Sequence, residues 1–375
     1  LVLAARLLGA FMRRIGQPSV VGELAAGLAL GPSVLGELLP GVHGWLFPAD
    51  PLQQALLSGI AWVGVFLLLV LTGLETDLGG VEQFTLSPDG TQLLVNHSAS
   101  YLPMQLAVVA STGGTPKRLT DTRSPAFKAR DWIQPEIVQV PSQHGAGTVW
   151  GKYYGPKTFE PGKKYPVVMF VHGAGYLQNV HGRYPAYFRE QMFHNLLVQR
   201  GYVVLDLDYR GSEGYGRDWR TAIYRNMGHP ELEDYKDGLE WLVANKQGDR
   251  DRAGIYGGSY GGFMTFMALF REPGLFKAGA ALRPVVDWTQ YNHEYSSNIL
   301  NTPELDPEAY AKSSPIEYAA GLQDHLLISH GMLDDNVFFR DSVVLTQKLI
   351  ELQKDNWEIA PYPLERHAYT RADSW

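Results

Sequence analysis

The chain has 375 residues, enough for a sizeable core and, as a prior, about two domains. The net charge is −7, and 19% of the residues are charged and 12% aromatic. Because the sequence has no basic stripe, no nucleic-acid partner is expected. The absence of cysteine excludes disulfides, thiolate catalysis and cysteine-ligated metal. Because the chain begins at Leu1 rather than Met and stops at Trp375 in a loop-like run, we expect a fragment at both ends.

Residues 1–78 are predominantly apolar. The run from Leu56 to Leu74 carries no charge and has about the length that crosses a bilayer, which predicts a transmembrane helix. A buried hairpin of core helices is the soluble alternative. The stretches GQPSVVGELAAGLALGPSVLG and GLETDL resemble the N-terminal helices of bacterial monovalent cation:proton antiporters. That resemblance implies two or three helices of a larger fold, without its ion-binding carboxylates, so we expect no transport by this chain alone.

Residues 79–131 differ in pattern, with short alternating segments separated by turns. The stretch FTLSPDGTQLLVN turns at Pro88-Asp89-Gly90, and MQLAVVAS supplies a further strand. Short strands at this spacing are typical of a β-propeller blade. Because a lone blade cannot bury its faces, this segment is predicted to be the remnant of a larger propeller.

Strands and helices alternate through residues 132–375. KYPVVMFVHG and GYVVLDLDYRG are predicted strands, and ELEDYKDGLEWLVANK is a predicted amphipathic helix. This alternation predicts an α/β domain built on a mostly parallel sheet that is covered on both faces. Ligands of such sheets bind at the carboxyl ends of the strands, where we therefore expect the functional loops.

Ser259 lies in the sequence Gly-Gly-Ser-Tyr-Gly, a G-x-S-x-G frame between a predicted strand, Arg252 to Tyr256, and the helix-like FMTFMALF. A strand, a sharp turn and a helix are the context of a nucleophile elbow. Such a turn exposes the serine and directs the N–H of Tyr260 at an oxyanion. The alternative is a glycine-rich turn with an incidental serine.

A serine nucleophile needs an imidazole to take its proton and a carboxylate to orient that imidazole. Asp334 follows the strand HLLISHG and His367 follows NWEIAPYP, in the chain order Ser, Asp, His of an α/β-hydrolase. Asp334 and its neighbour Asp335 could instead cap the helix that follows, and we assign that role to Asp335. His367 could equally be an ordinary surface histidine, as could His325 and His330.

Five motifs together resemble the prolyl oligopeptidase family of serine peptidases, within it the dipeptidyl peptidase IV branch. They are HGAG at 172–175, DYRGSEGYG at 208–216, GGSYGG at 257–262, HGMLDDNV at 330–337 and the loop of His367. The resemblance implies an α/β-hydrolase fold with Ser259 as nucleophile, Asp334 as orienting acid and His367 as general base. It also implies an oxyanion site formed by Tyr260 with the His172–Gly173 loop.

The same resemblance implies a proline-accepting pocket. Its members are Val285, Trp288, Tyr291, Tyr295, Asn336 and Val337, together with Tyr260. An aromatic box suits a pyrrolidine ring, although aromatics at this spacing are also what a packed helix face presents. Four departures accompany the resemblance. His172 stands where the dipeptidyl peptidase IV branch has tyrosine, and Ala368 where the family usually has glycine. The propeller blades whose acidic residues hold the substrate's amino group are absent from this sequence, as is the family's closing helix, so the resemblance does not imply release of dipeptides.

We therefore predict a serine peptidase that cleaves after proline or a small residue, with no metal or organic cofactor. An esterase using the same triad and an antiporter fragment are the alternatives, and the join near Gly79 could be a rearrangement. The expected partner is a peptide, with membrane attachment through residues 1–78 if the join is genuine. The expected location is then the bacterial inner membrane, and otherwise the periplasm or cytoplasm. Homodimer formation and the activity of this shortened chain are left open.

Overall fold

The computed structural model of the chain describes residues 2–14, 25–27, 29–47 and 81–374. In the N-terminal part, helix α1 spans Val2–Arg14, a π-helical turn spans Pro32–Gly36 and helix α2 spans Pro40–Leu46. Within the described ranges, no helix is long and apolar enough to cross a membrane. The predicted transmembrane run lies outside those ranges.

The chain divides into two compact units, and the second contains every residue of the site described below. This second unit comprises Gly79–Thr85, Leu94–Val108 and Arg118–Trp375. The domain boundaries at 78/79 and 131/132 stay predictions.

A small sheet contains four strands that neighbour one another in chain order. They are β1 (Val81–Leu86), β2 (Gln92–Ala99), β3 (Leu102–Ala110) and β4 (Lys117–Arg118). The predicted turn is present between β1 and β2, where the Asp89 carboxylate accepts hydrogen bonds from the hydroxyls of Ser87 and Thr91. Four strands in consecutive order have the arrangement of a propeller blade, as the sequence predicted.

The main sheet has eight strands, and only one runs against the others. The strands are β5 (Glu136–Pro141), β6 (Thr148–Tyr154), β7 (Tyr165–Val171), β8 (Val203–Asp208), β9 (Gly248–Gly258), β10 (Ala278–Leu282), β11 (His325–Gly331) and β12 (Trp357–Tyr362). Their order is β12-β11-β10-β9-β7-β8-β6-β5. Strand β6 is antiparallel to both of its neighbours, whereas all other pairs are parallel. The prediction of a mostly parallel sheet is confirmed.

Helices precede and connect these strands. They are α3 (Pro125–Lys128), α4 (Phe188–Gln199), α5 (Arg217–Arg220), α6 (Pro230–Asn245), α7 (Tyr260–Arg271), α8 (His293–Leu300), α9 (Pro307–Ser313) and α10 (Arg340–Glu351). Helix α7 is apolar on every side and is buried from Tyr260 to Phe270, as expected for a helix in the middle of a core. Helix α6 begins with Glu231 and Glu233 in its first turn, where carboxylates favour the positive end of the helix dipole.

The topology brings three loops to one edge of the sheet. Strand β9 ends at Gly258, β11 at Gly331 and β12 at Tyr362, and all three run in the same direction. Because the carboxyl ends of parallel strands share an edge, the loops carrying Ser259, Asp334 and His367 emerge together.

Candidate active site

Ser259 occupies a sharp turn between β9 and α7. Its φ of 59° lies in the left-handed region, a strained conformation for a residue with a side chain. The backbone N–H of Ser259 donates to the Leu282 carbonyl at 2.9 Å, which ties the turn to the neighbouring strand. At Gly261, a Cβ atom would lie 2.1 Å from the Val171 carbonyl oxygen, so only glycine allows helix α7 to begin this close to the sheet. These are the features of the predicted elbow.

Asp334 and His367 form a hydrogen-bonded pair. Nδ1 of His367 lies 2.8 Å from Oδ2 of Asp334. The other oxygen of Asp334 accepts the backbone N–H groups of Asn336 and Val337, at 2.9 and 3.0 Å. The Asp334 side chain is fully buried, whereas that of His367 is 23% exposed. The carboxylate is therefore held rigidly from behind, and the imidazole keeps one edge accessible.

The pKa of Asp334 reflects these contacts. Burial raises the pKa, but the hydrogen bonds from His330 and His367 outweigh burial, and the net pKa lies well below its ordinary value. Asp334 consequently stays ionised at neutral pH, as a residue that orients an imidazole and stabilises its cation must.

The geometry of the site distinguishes the roles of Asp335 and His330. Asp335 does not cap α10, so that expectation is wrong: the helix begins after Phe339 without a side-chain cap, and Asp335 pairs with Arg366 at the surface. His330 is buried and contacts the Ser342 hydroxyl at 2.7 Å as well as Asp334 at 3.2 Å. It therefore supports the carboxylate from the protein interior.

Ser259 and His367 line one cavity of about 360 Å³. The other lining residues are Gly173, Ala174, Tyr187, Tyr260, Arg283, Val285, Trp288, Tyr291, Tyr295, Asn336 and Ala368. Within the part of the chain that the structure describes, no hydrogen bond joins the Ser259 hydroxyl to His367. Loose contacts of this kind are common in hydrolases without substrate and tighten in the complex.

Three aromatic side chains form a box in this cavity. The rings of Tyr291 and Tyr295 each meet the ring of Trp288, at 5.5 and 6.0 Å between centroids, and stand nearly perpendicular to one another. The Tyr291 hydroxyl donates to Oδ1 of Asn336 at 2.9 Å. Trp288 is buried, as a packed helix face requires, yet it lines the cavity together with Tyr291 and Tyr295. The box is therefore a pocket as well as a packed cluster.

One predicted member of the pocket lies elsewhere. Val337 is buried and is not among the residues that line the cavity, so the structure does not bring it together with the other predicted pocket residues. The backbone of Val337 instead supports two residues of the site: its N–H donates to Asp334, and its carbonyl contacts Nε2 of His330.

Of the two loop residues predicted to form the oxyanion site, Gly173 lines the cavity and His172 does not. His172 is fully buried, with Nε2 at 3.0 Å from the Ser212 hydroxyl and its ring stacked on Tyr209. The side chain thus does not reach the cavity, because the buried polar contacts hold it on the far side of the loop. Gly173 does line the cavity, but its N–H already donates to the hydroxyl of Tyr187 at 2.7 Å.

Tyr187 and Arg283 are the lining residues that the sequence analysis missed. Tyr187 precedes α4 and lies in no motif, so no local signal marked it. Arg283 directly follows β10, and its position at the carboxyl end of a parallel strand was a usable signal. Among the described residues, no cluster of three or more histidines and carboxylates could hold a metal ion.

Part of the chain is similar to known peptidases. The sequence model of the prolyl oligopeptidase family matches residues 188–374. Dipeptidyl peptidase 8 of Mus musculus is 35% identical over 244 residues, which cover 64% of this chain and 27% of that protein. This chain thus spans about a quarter of the length of that curated relative.

Solved structures agree with the sequence comparison. Dipeptidyl peptidase 4 of Porphyromonas gingivalis superimposes with a TM-score of 0.68 at 30% identity, covering 76% of this chain and 40% of that one. The acylaminoacyl peptidase of Pyrococcus horikoshii gives a TM-score of 0.65 at 27% identity, covering 76% and 45%. None of these similarities supports the antiporter resemblance of the N-terminal segment. The match to the prolyl oligopeptidase family falls on residues 188–374, which carry Ser259, Asp334 and His367 in the order that an α/β-hydrolase requires.

Proposed function

We propose that this chain is a serine peptidase that hydrolyses peptide bonds after proline or a small residue. The observation that carries the proposal is the ionised Asp334 bonded to His367, on the same cavity as the strained Ser259. A serine on an elbow, an imidazole and a buried carboxylate are the parts needed for acyl transfer.

In the proposed mechanism the Ser259 hydroxyl attacks the scissile carbonyl, and Nε2 of His367 takes the hydroxyl proton. Asp334 stabilises the resulting imidazolium. The tetrahedral intermediate collapses as His367 gives its proton to the leaving nitrogen, which frees the amine and leaves an acyl-serine ester. Water, activated by the same imidazole, then hydrolyses the ester and restores Ser259.

Two donors suit the oxyanion of that intermediate. The Tyr260 N–H is at the N-terminus of α7, where the helix dipole adds to its effect. The Tyr187 hydroxyl accepts from Gly173, so its own hydrogen is available to the cavity. Burial raises the pKa of Tyr187 to about 12, which keeps the phenol protonated at every working pH.

The aromatic box suits the acyl side of the substrate. A pyrrolidine ring fits between flat aromatic faces, where it loses contact with water. Because Oδ1 of Asn336 accepts the Tyr291 hydroxyl, the amide NH₂ of Asn336 is left to donate to a substrate carbonyl. The named relatives include both dipeptidyl and acylaminoacyl peptidases, so the proposal stops at peptide-bond hydrolysis and does not extend to dipeptide release.

The test is labelling with a fluorophosphonate, which reports an activated serine without a known substrate. We expect covalent labelling of the wild-type chain and none of Ser259→Ala. Absence of labelling in folded wild-type protein would overturn the proposal. Paired proline esters and amides then separate a peptidase, which turns over both, from an esterase, which turns over only the ester.

Location and assembly are separate proposals. The bacterial inner membrane is the proposed location if residues 1–78 are genuinely joined to the peptidase, and the periplasm or cytoplasm otherwise. Sequencing DNA across codons 60–110 tests the join, and cell fractionation tests the location. Homodimer formation is tested by the mass of the purified protein in solution.

A further inference from the structure

Arg283 lines the same cavity as the nucleophile, and the mechanism proposed above gives its positive charge no role. It follows β10 directly, and its backbone N–H donates to the Ser329 carbonyl at 2.7 Å. The residue before it accepts the N–H of Ser259, so the two residues are anchored to adjacent points of the sheet edge. The Arg283 side chain lines the cavity of Ser259 and His367.

Among the described residues, no carboxylate lies close enough to form an ion pair with the Arg283 guanidinium, although its charge attracts the more distant Glu190. A Cβ on Gly258 would lie 2.8 Å from Nη2, so the glycine makes room for this group. The ring of Tyr369 lies 5.9 Å from Cζ. Nη1 is enclosed yet has no hydrogen-bond partner within the described ranges. The facing titratable groups are Tyr187, Glu190 and Tyr369, and no ion pair joins Arg283 to Glu190.

This arrangement is unfavourable in the free protein. An enclosed donor without an acceptor loses its bonds to water and gains none in return. Arg283 also has a φ of 42°, in the left-handed region that side chains rarely adopt. Strained residues that persist in a structure cluster at active sites and ligand-binding positions.

The position of Arg283 identifies the side of the substrate that it faces. The ring that lies against the Arg283 guanidinium belongs to Tyr369. Tyr369 is two residues after His367, and His367 is the group that gives a proton to the leaving nitrogen. The acyl side is taken by the aromatic box. Arg283 is thus on the leaving-group side, within the same cavity.

We propose that Arg283 binds a carboxylate on the leaving-group side of the scissile bond. The carboxylate is either the free C-terminus of a short peptide or the side chain of an acidic residue directly after the bond. A guanidinium suits either, because its planar N–H groups match the two carboxylate oxygens. The inference rests on the proposed peptidase function and adds a substrate class to it.

The experiment compares two matched pairs of peptides. One pair is Ala-Pro-Ala with a free C-terminus and the same peptide as its amide, and the other is the amides of Ala-Pro-Glu and Ala-Pro-Gln. We expect wild-type kcat/KM to favour the charged member of at least one pair by about 10-fold to 100-fold. The pair that shows the preference identifies the source of the carboxylate.

Variants then assign the preference to one residue. In Arg283→Gln the ratio within that pair should fall towards one, whereas Arg283→Lys should keep part of it. Arg252→Gln is the matched control, because it removes an exposed arginine of β9 that does not line the cavity. A wild-type ratio near one in both pairs would overturn the inference, as would a ratio unchanged in Arg283→Gln.

The wild-type ratio tests the inference even if Arg283→Gln fails to fold. Failure of the proposed function looks different, because then neither pair is hydrolysed and the fluorophosphonate does not label the protein. In that case the carboxylate site fails together with the function on which it rests.

Discussion

Nδ1 of His367 lies 2.8 Å from Oδ2 of Asp334, while the opposite oxygen of the same carboxylate accepts two backbone N–H groups. The carboxylate is therefore fixed before any substrate arrives, and it fixes the imidazole in turn. An amide at position 334 would offer one oxygen where the site uses two.

We accordingly expect Asp334→Asn to slow both labelling and peptide hydrolysis by about 10⁴-fold, as loss of an orienting carboxylate does in other triads. The control is Asp335→Asn, which alters an exposed neighbour paired with Arg366. The measurement is the rate of fluorophosphonate labelling in the two variants. Equal rates in both would refute an orienting role for Asp334.

Tyr187→Phe removes one hydroxyl and keeps the ring, which packs edge-on against Phe170. If the phenol donates to the oxyanion, kcat should fall by about 10²-fold with a much smaller change in KM. Tyr184→Phe, which removes a phenol hydroxyl outside the cavity lining, is the control. A change confined to KM would mean that Tyr187 only positions substrate.

Gly261→Ala tests the elbow. Its methyl group would lie 2.1 Å from the Val171 carbonyl oxygen, a backbone atom that cannot move aside without distorting β7. We expect the free energy of unfolding to fall by about 3 kcal/mol or more. Gly254→Ala is matched to it, because on strand β9 the added methyl would meet its nearest atom at an ordinary 3.4 Å. Similar denaturation midpoints for the two variants would contradict the steric argument.

Glu231 links pH to stability beneath the site. It is fully buried and accepts hydrogen bonds from the Tyr260 hydroxyl and the Gly228 N–H. Burial raises its pKa from 4.5 to about 7. Because the pKa is higher in the folded state, this group stabilises the fold fully below about pH 4.5, and the stabilisation is lost as pH rises through about 7.

Glu231→Gln removes that titration. Relative to wild type, the variant should therefore gain up to about 3 kcal/mol of unfolding free energy between pH 5 and pH 8. Urea denaturation at several pH values measures the difference, and Glu233→Gln on the partly exposed face of α6 serves as control. A difference between Glu231→Gln and wild type that stays constant with pH would show that Glu231 does not titrate in this window.

Much of the fold could be predicted because its signals are local. Strand β11 covers the predicted HLLISHG, and the apolar FMTFMALF lies within the buried helix α7. Alternation of strands and helices implies a parallel sheet, and a parallel sheet brings the loops after β9, β11 and β12 to one edge. For this reason the order Ser259, Asp334, His367 was enough to predict a shared site.

The remaining features depend on the direction of side chains, which neighbours distant in sequence decide. His172 turns away from the cavity because Ser212 and Tyr209 hold it, and Val337 lies beneath the site because its backbone supports Asp334. Tyr187 and Arg283 enter the cavity from segments about a hundred residues apart.

The sequence by itself thus determined the type of fold, the elbow and the chain order of the triad, since periodicity and glycine requirements are written in consecutive residues. Only the tertiary structure decided which side chains line the cavity and where, among the described residues, a guanidinium without an ion pair lies. Those properties arise from packing and burial between distant segments, and the local pattern marks only the position of Arg283 at the end of a strand.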